Sequence, residues 1–439
     1  METVIMIAQL ILGLSLLVGL HEFGHLIAAK AFGMRVEQFS IGFPPKIFSF
    51  KYGETEYSLG AIPLGGFVKI SGMIDESLDT KNLDKEPEPH EFRAKPAWQR
   101  LIVMLGGVIV NVITGVIIFI FLQYGYGETY VPKEAVVQNG IYAYDLGKEI
   151  GLQTGDKIVN ISGKDYKKLS ELTSPDVMLN NGGYYTVLRN GDEIKVDIPI
   201  DLMDKLADGN DRVAFLDILT PFTVGVISPQ SNADMAGLLA GDKIIAINDT
   251  PIQYFQEFKD RLGDYKGNKV NLTVKRKELT TRIDSVKVTE DGTIGFAAAT
   301  ELETAHEDFT FGESITIGTS KAFNVVWTNI RAFGKIFRGE VSASKSLSGP
   351  IGIAQIFGGE WIWAKFWSIC GFLSMVLAFM NLLPIPALDG GHVVFISYEI
   401  ISGRKPSDRF LENAQKIGMV LLLGIMGFAI FNDIWKAIF

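Results

Sequence analysis

Two histidines and a glutamate stand in the run His21-Glu22-Phe23-Gly24-His25, inside an apolar stretch that begins near Val4. On a helix, positions i and i+4 share one face, so both imidazoles can reach a single metal ion. Glu22 lies one residue round from the first ligand, where a carboxylate can serve as general base toward metal-activated water. The chain has 5 histidines in 439 residues, which makes this spacing improbable by chance. Ionisable side chains in a membrane span are also costly unless they face a cavity or a partner. The two improbabilities coincide, and together they point to a metalloprotease with its active site in the membrane.

A catalytic zinc site takes three protein ligands and keeps one position open. The best candidate for the third is Asp389, in the run Asn381-Leu382-Leu383-Pro384-Ile385-Pro386-Ala387-Leu388-Asp389-Gly390-Gly391. Pro384 and Pro386 break a helix at membrane depth, where irregular backbone is tolerated only if it is buried in protein or lines a wet cavity. Asp389 follows the break, and the two glycines after it allow close approach. His392 is a rival ligand, ranked lower because three already suffice and it can instead orient one of them. A His₂–carboxylate set favours zinc.

These residues need a membrane scaffold, and the composition supplies one. The chain is 47% hydrophobic, with a mean hydropathy of +0.22. Its charged residues leave four stretches nearly empty: Val4–Lys30, Leu101–Tyr124, Phe366–Leu388 and Ile417–Phe431. About 20 apolar residues span the hydrocarbon, a length the fourth reaches only by extending toward Trp435. A cleaved signal peptide needs a basic start; here Glu2 precedes the first stretch, with no Lys or Arg, so it reads as a retained span. Lys30, Arg35, Lys95 and Arg100 flank the first loop, and Arg404, Lys405 and Arg409 the last, so both loops are expected to be cytoplasmic. The two termini and the long segment between spans two and three are then outside, with Arg331, Lys335 and Arg338 running against the pattern. A net charge of -9 argues against nucleic-acid binding. Cys370, the sole cysteine, has no internal disulfide partner.

Between the first two spans, Val36–Phe50 and Glu56–Ile70 read as strands with turn signals at Pro44-Pro45 and Tyr52-Gly53. Asp75–Glu91 reads as a solvated linker. In the outer segment, Ile150-Gly151-Leu152 followed by Gly155-Asp156-Lys157-Ile158 recurs as Ala236-Gly237-Leu238 followed by Gly241-Asp242-Lys243-Ile244. Two copies at this spacing mean two modules of one type, each a short helix, a Gly-Asp turn and an apolar strand. The pattern resembles PDZ domains of the bacterial, protease-associated kind. Neither copy has the Gly-Leu-Gly-Phe carboxylate loop, and Thr223-Val224-Gly225-Val226 is the nearest candidate for it. Phe311–Phe337 has helical period with Lys321, Asn329 and Arg331 interleaved, which suits a helix on the membrane surface or one packed on the outer modules.

HEFGH in the first span and NLLPIPALDGG in the third resemble the motifs of the site-2 protease family of intramembrane zinc metalloproteases, and the tandem modules resemble its PDZ-bearing branch. FSIGF at Phe39–Phe43, IPLGGFVKISGM at Ile62–Met73 and SGPIGI at Ser348–Ile353 extend the resemblance over nearly the whole chain. One departure is GGVIVN at Gly106–Asn111, where the family commonly has a proline; local helix packing is the expected consequence. The resemblance implies His21, His25 and Asp389 as Zn²⁺ ligands, Glu22 as catalytic base and Asn381 as a substrate or oxyanion contact. It also implies that Tyr57–Ile70, with Gly65, Gly66 and Phe67, is a membrane-associated β-hairpin that binds unwound substrate.

The expected fold is a polytopic α-helical membrane protein with four transmembrane helices, that hairpin and two PDZ-like α+β domains. The expected divisions are 1–127, 128–215, 216–305, 306–360 and 361–439. The expected activity is zinc endopeptidase cleavage of single-span membrane proteins in the bacterial inner membrane, here an anti-sigma factor already cut by an upstream protease. Clearing signal-peptide remnants is the alternative within the enzyme class. An inactive PDZ scaffold is disfavoured by the complete ligand-and-base set, and a transporter by the lack of inverted repeats among the spans.

Overall fold

The computed structural model describes residues 2–73, 86–208, 214–342 and 349–438; most of the Asp75–Glu91 linker, and Ser348, lie outside them. The chain divides into two units, Met1–Gly127 with Asp308–Phe439, and Glu128–Glu307.

In the first unit, four helices among the described residues are long and apolar enough to cross a membrane: Glu2–Ala31, Ala97–Tyr126, Trp363–Asn381 and Arg409–Asp433. The third stops at Asn381, short of Leu388. Pro384 and Pro386 cannot continue it, so residues 382–388 form turns and a separate helix, Asp389–Ser402, follows. The first two spans cross at glycines. A Cβ on Gly24 would lie 2.2 Å from the Gly106 carbonyl oxygen, so only bare backbone fits there.

The strands Val36–Tyr52 and Thr55–Ile70 are each bent, which makes the expected hairpin a sheet of four segments. Residues 36–41 pair with 66–70 on one side and with 56–59 on the other, while 46–52 pair with 55–60. The bends fall at Pro44-Pro45 and at the Pro63–Gly66 run, where no regular ladder survives. Ile47, Phe48, Phe50 and Tyr52 on the outermost segment are exposed, a continuous apolar surface suited to lipid.

The helix Phe311–Phe337 takes neither expected position; it packs on the spans. Gly318 meets the backbone at Phe119 and Ile120, Lys321 Nζ donates to Gln123 Oε1 at 3.0 Å, and Phe333 lies edge-on to Phe379 at 5.4 Å. Its apolar face therefore finds a partner in the second and third spans. The helix Pro350–Phe357 is pinned at both ends. Asp433 of the fourth span accepts N–H bonds from Gly349 and Gly352 at 2.9 Å, and Gln9 of the first donates to the Gly358 carbonyl at 3.1 Å.

The second unit holds two separate apolar cores, one around Tyr185 and Phe215, the other around Phe222 and Phe258. The repeat explains both. Leu152 and Ile158 enter the first core as Leu238 and Ile244 enter the second. Lys157–Ile161, Tyr184–Arg189 and Asp192–Asp197 form a three-stranded antiparallel sheet. Lys243–Ile247, Lys269–Arg276 and Leu279–Lys287 repeat its order. Buried Asp156 binds Arg189 through two hydrogen bonds of 2.7 and 2.8 Å, and Asp242 binds Arg276 through two of 2.7 Å. Each arginine also donates to the carbonyl of the preceding turn, Gly151 or Gly237. Thr223–Val226 lies within the strand Phe222–Ile227, paired with Phe296–Thr300, so it is no loop.

Candidate active site

Helical spacing stacks His21 and His25 on one face of the first span, with Nε2 atoms 3.3 Å apart. The Asp389–Ser402 helix brings Asp389 Oδ2 to 3.1 Å from His21 Nε2 and 3.3 Å from His25 Nε2. Three atoms from positions up to 368 residues apart in sequence (389 − 21) thus converge. A tetrahedral ion with ligands at about 2.0–2.1 Å holds its donors about 3.3 Å apart, which these separations match. Asp389 Oδ2 is buried and makes no hydrogen bond, an expensive condition for a carboxylate oxygen unless a cation completes it. The donor set therefore fits zinc. His392 lines the same cavity without joining the three.

The segment that delivers Asp389 is strained. Ala387 has φ +84°, a left-handed conformation that costs a non-glycine residue on the order of 1 kcal/mol. Such strain persists only where the surroundings fix it, and here the fourth span does so. A Cβ on Gly418 would lie 1.6 Å from the Pro386 carbonyl oxygen, so helix and turn are in backbone contact.

Two groups from the second span set the imidazoles. His25 Nδ1 lies 2.8 Å from the Val103 carbonyl, so Nδ1 carries the proton and Nε2 is left with a free lone pair. Asn111, wholly buried, places its carboxamide 3.1 Å from His21 Nδ1 while its Oδ1 has no partner. Turning the amide over gives Oδ1 the Nδ1 proton and frees His21 Nε2 in the same way. Gly107 fills the remaining space: a Cβ there would stand 2.5 Å from both rings. GGVIVN thus reaches beyond helix packing to the histidines themselves, and Asn111 is the site residue the sequence reading missed. A carboxamide within an apolar span was the available signal.

The cavity beside these residues has a volume of about 600 Å³. Glu22 lines it, and its Cγ would lie 3.1 Å from a Cβ on Gly66, which puts the carboxylate-bearing chain between the histidines and the sheet. Gly65, Gly66 and Phe67 line it too, the last two on the segment 66–70 that pairs with the sheet along one side only among the described residues. Asn381 Nδ2 lies 3.2 Å from His21 Nε2. A carboxylate, a His-His-Asp constellation and a strand edge thus share one cavity among apolar helices.

Fold and site together define a membrane-embedded metallopeptidase. The family model of peptidase family M50 matches residues 9–425, and the chain belongs to that family. It is a zinc metalloprotease of the site-2 type. Among its relatives, the regulator of sigma-E protease RseP of Escherichia coli strain K12 is 30% identical, over 97% of this chain and 98% of that one. Protease RseP of Yersinia pestis is 29% identical over the same shares, and a protein of Neisseria meningitidis named as a zinc metalloprotease is 28% identical, again over 97% and 98%.

Proposed function

We propose that this protein cleaves single-span membrane proteins within or beside their transmembrane segments. His21, His25 and Asp389 hold the zinc, and Glu22 is the general base. The observation that carries the reading is the convergence of those three ligand atoms in a cavity that also holds Glu22 and a one-sided strand. When bound, zinc supplies Lewis-acid polarisation of the scissile carbonyl and acidifies the attacking water. Glu22 takes the proton of that water and returns it to the leaving amine. Asn381 donates to the developing oxyanion.

A transmembrane helix hides its amides in i→i−4 bonds, so cleavage requires unwinding, and unwound backbone in a bilayer needs replacement hydrogen bonds. The open side of Gly66–Ile70 supplies them in the manner of strand addition. The repeated modules are PDZ-like domains that filter access from the outer side, and the chain resides in the bacterial inner membrane with the site toward the cytoplasm. That orientation accommodates Arg331, Lys335 and Arg338: Phe333 contacts Phe379, two residues before Asn381, so the basic trio lies at the depth of the site. Relatives named as regulators of sigma-E favour a regulatory substrate, an anti-sigma factor already cut once, over signal-peptide remnants.

The test is Glu22→Gln. It should keep one zinc per chain by elemental analysis while losing about 10²–10⁴-fold in cleavage of a reconstituted single-span substrate. Near-normal turnover would remove Glu22 from the chemistry. Comparing the membrane peptides that accumulate in cells with that variant separates the substrates: one anti-sigma fragment, or many signal peptides.

A further inference from the structure

Among the described residues, four carboxamides line the active-site cavity: Gln38, Asn111, Asn381 and Gln415. Three are engaged. Gln38 donates to Ser58 Oγ at 3.2 Å, and Asn111 and Asn381 lie against the two nitrogens of His21. Gln415 is 3% exposed, and its amide makes no hydrogen bond among the described residues. The side chain is buried while its amide opens on the substrate cavity, so both its donor and its acceptor are available to a ligand there. Gln415 is also held in place. Gly418, three residues on and on the same helical face, is in backbone contact with Pro386, so the helix that carries Gln415 is seated on the turn that delivers Asp389.

An extended peptide has two hydrogen-bonding edges, and a strand can satisfy only one. A substrate laid on Gly66–Ile70 turns its second edge toward the cavity, at a depth where an unpaired N–H or C=O costs several kcal/mol. A carboxamide can donate to a carbonyl and accept from an N–H of the same extended segment. We propose that Gln415 binds the substrate backbone on the edge the strand leaves open. The assignment rests on the cavity being the peptide site.

The experiment uses zinc-loaded full-length protein in nanodiscs and a synthetic single-span peptide in which each amide N–H near the cleavage point is replaced in turn by an ester oxygen. Gln415→Met, close in size but apolar, should lower kcat/KM about tenfold with zinc content unchanged. One ester position should cost the wild type about tenfold and cost Gln415→Met nothing further. Should Gln415→Met fail to fold, Gln415→Leu carries the same comparison, since it too lacks the acceptor that the ester scan probes. The scan is repeated as equilibrium binding to Glu22→Gln protein, where no turnover is needed. If that protein binds no single-span peptide, the peptide-site reading falls and Gln415 with it. If peptide binds and is cleaved, but every ester penalises variant and wild type equally, the Gln415 assignment alone is overturned.

Discussion

Asn111 decides which nitrogen of His21 is free. With the amide turned over so that its carbonyl oxygen faces Nδ1, the ring carries its proton there, and Nε2 points at Asp389 with a lone pair to give. Leucine has nearly the same volume and no acceptor, so Asn111→Leu leaves the tautomer unset. Groups that orient a metal-bound histidine are worth about 10–100-fold in metal affinity. Zinc competition against a chromophoric chelator should therefore show Asn111→Leu binding weaker by that factor, and an unchanged affinity would assign Asn111 to packing alone. His21, Glu22 and His25 are readable from the sequence because the helical period places them without reference to anything else. Asp389 is readable because prolines at membrane depth advertise a cavity. Asn111 and Gln415 are different. Their meaning depends on which helices meet, and no local pattern in the chain says that the second and fourth spans line the same cavity.

At the level of elements, the first two spans are held at backbone distance by Gly24, Gly106 and Gly107, and that distance is what lets the second span touch the histidine rings. Without a hydrophobic drive between helices in lipid, such small-residue contacts carry the association. Two substitutions identical in chemistry separate this role from helix propensity. A Cβ on Gly24 meets Gly106 O at 2.2 Å, whereas one on Gly424 of the fourth span meets nothing within 4 Å. Gly24→Ala should lower the unfolding temperature and weaken zinc binding together, since the spans must part for the methyl group to fit. Gly424→Ala should change neither. Thermal unfolding in detergent with zinc analysis reads both, and equal behaviour of the two variants would refute the crossing as a determinant of the site. The sequence announced these spans by composition, and the third by its breakers, but not the contacts. The Phe311–Phe337 helix shows why. Its amphipathic period fixes that one face is buried, yet lipid, an outer module and a neighbouring span are equally good partners for an apolar stripe.

Across the whole molecule, two units with separate cores imply that damage in one need not reach the chemistry of the other. The repeat offers the means to test this. Asp156 is buried and its cationic partner among the described residues, Arg189, is half-buried, with further bonds to the Gly151 carbonyl and from the Gln153 N–H. Asp156→Ala strands the guanidinium and a turn N–H, a loss on the order of 3 kcal/mol. Because the Tyr185 core and the Phe222 core share no residue, the loss should stay in the first module. Hydrogen exchange on the full-length protein should speed up in Lys157–Ile161, Tyr184–Arg189 and Asp192–Asp197, and stay unchanged in Lys269–Arg276 and Leu279–Lys287. Zinc affinity should be that of the wild type, since Asp156 and the zinc ligands belong to different units and share no partners. Any change in cleavage would then come from substrate access rather than from the metal site, as the access-filter role proposed for the modules requires. Faster exchange in both modules would instead make them one cooperative body, and the repeat a matter of ancestry rather than independent construction.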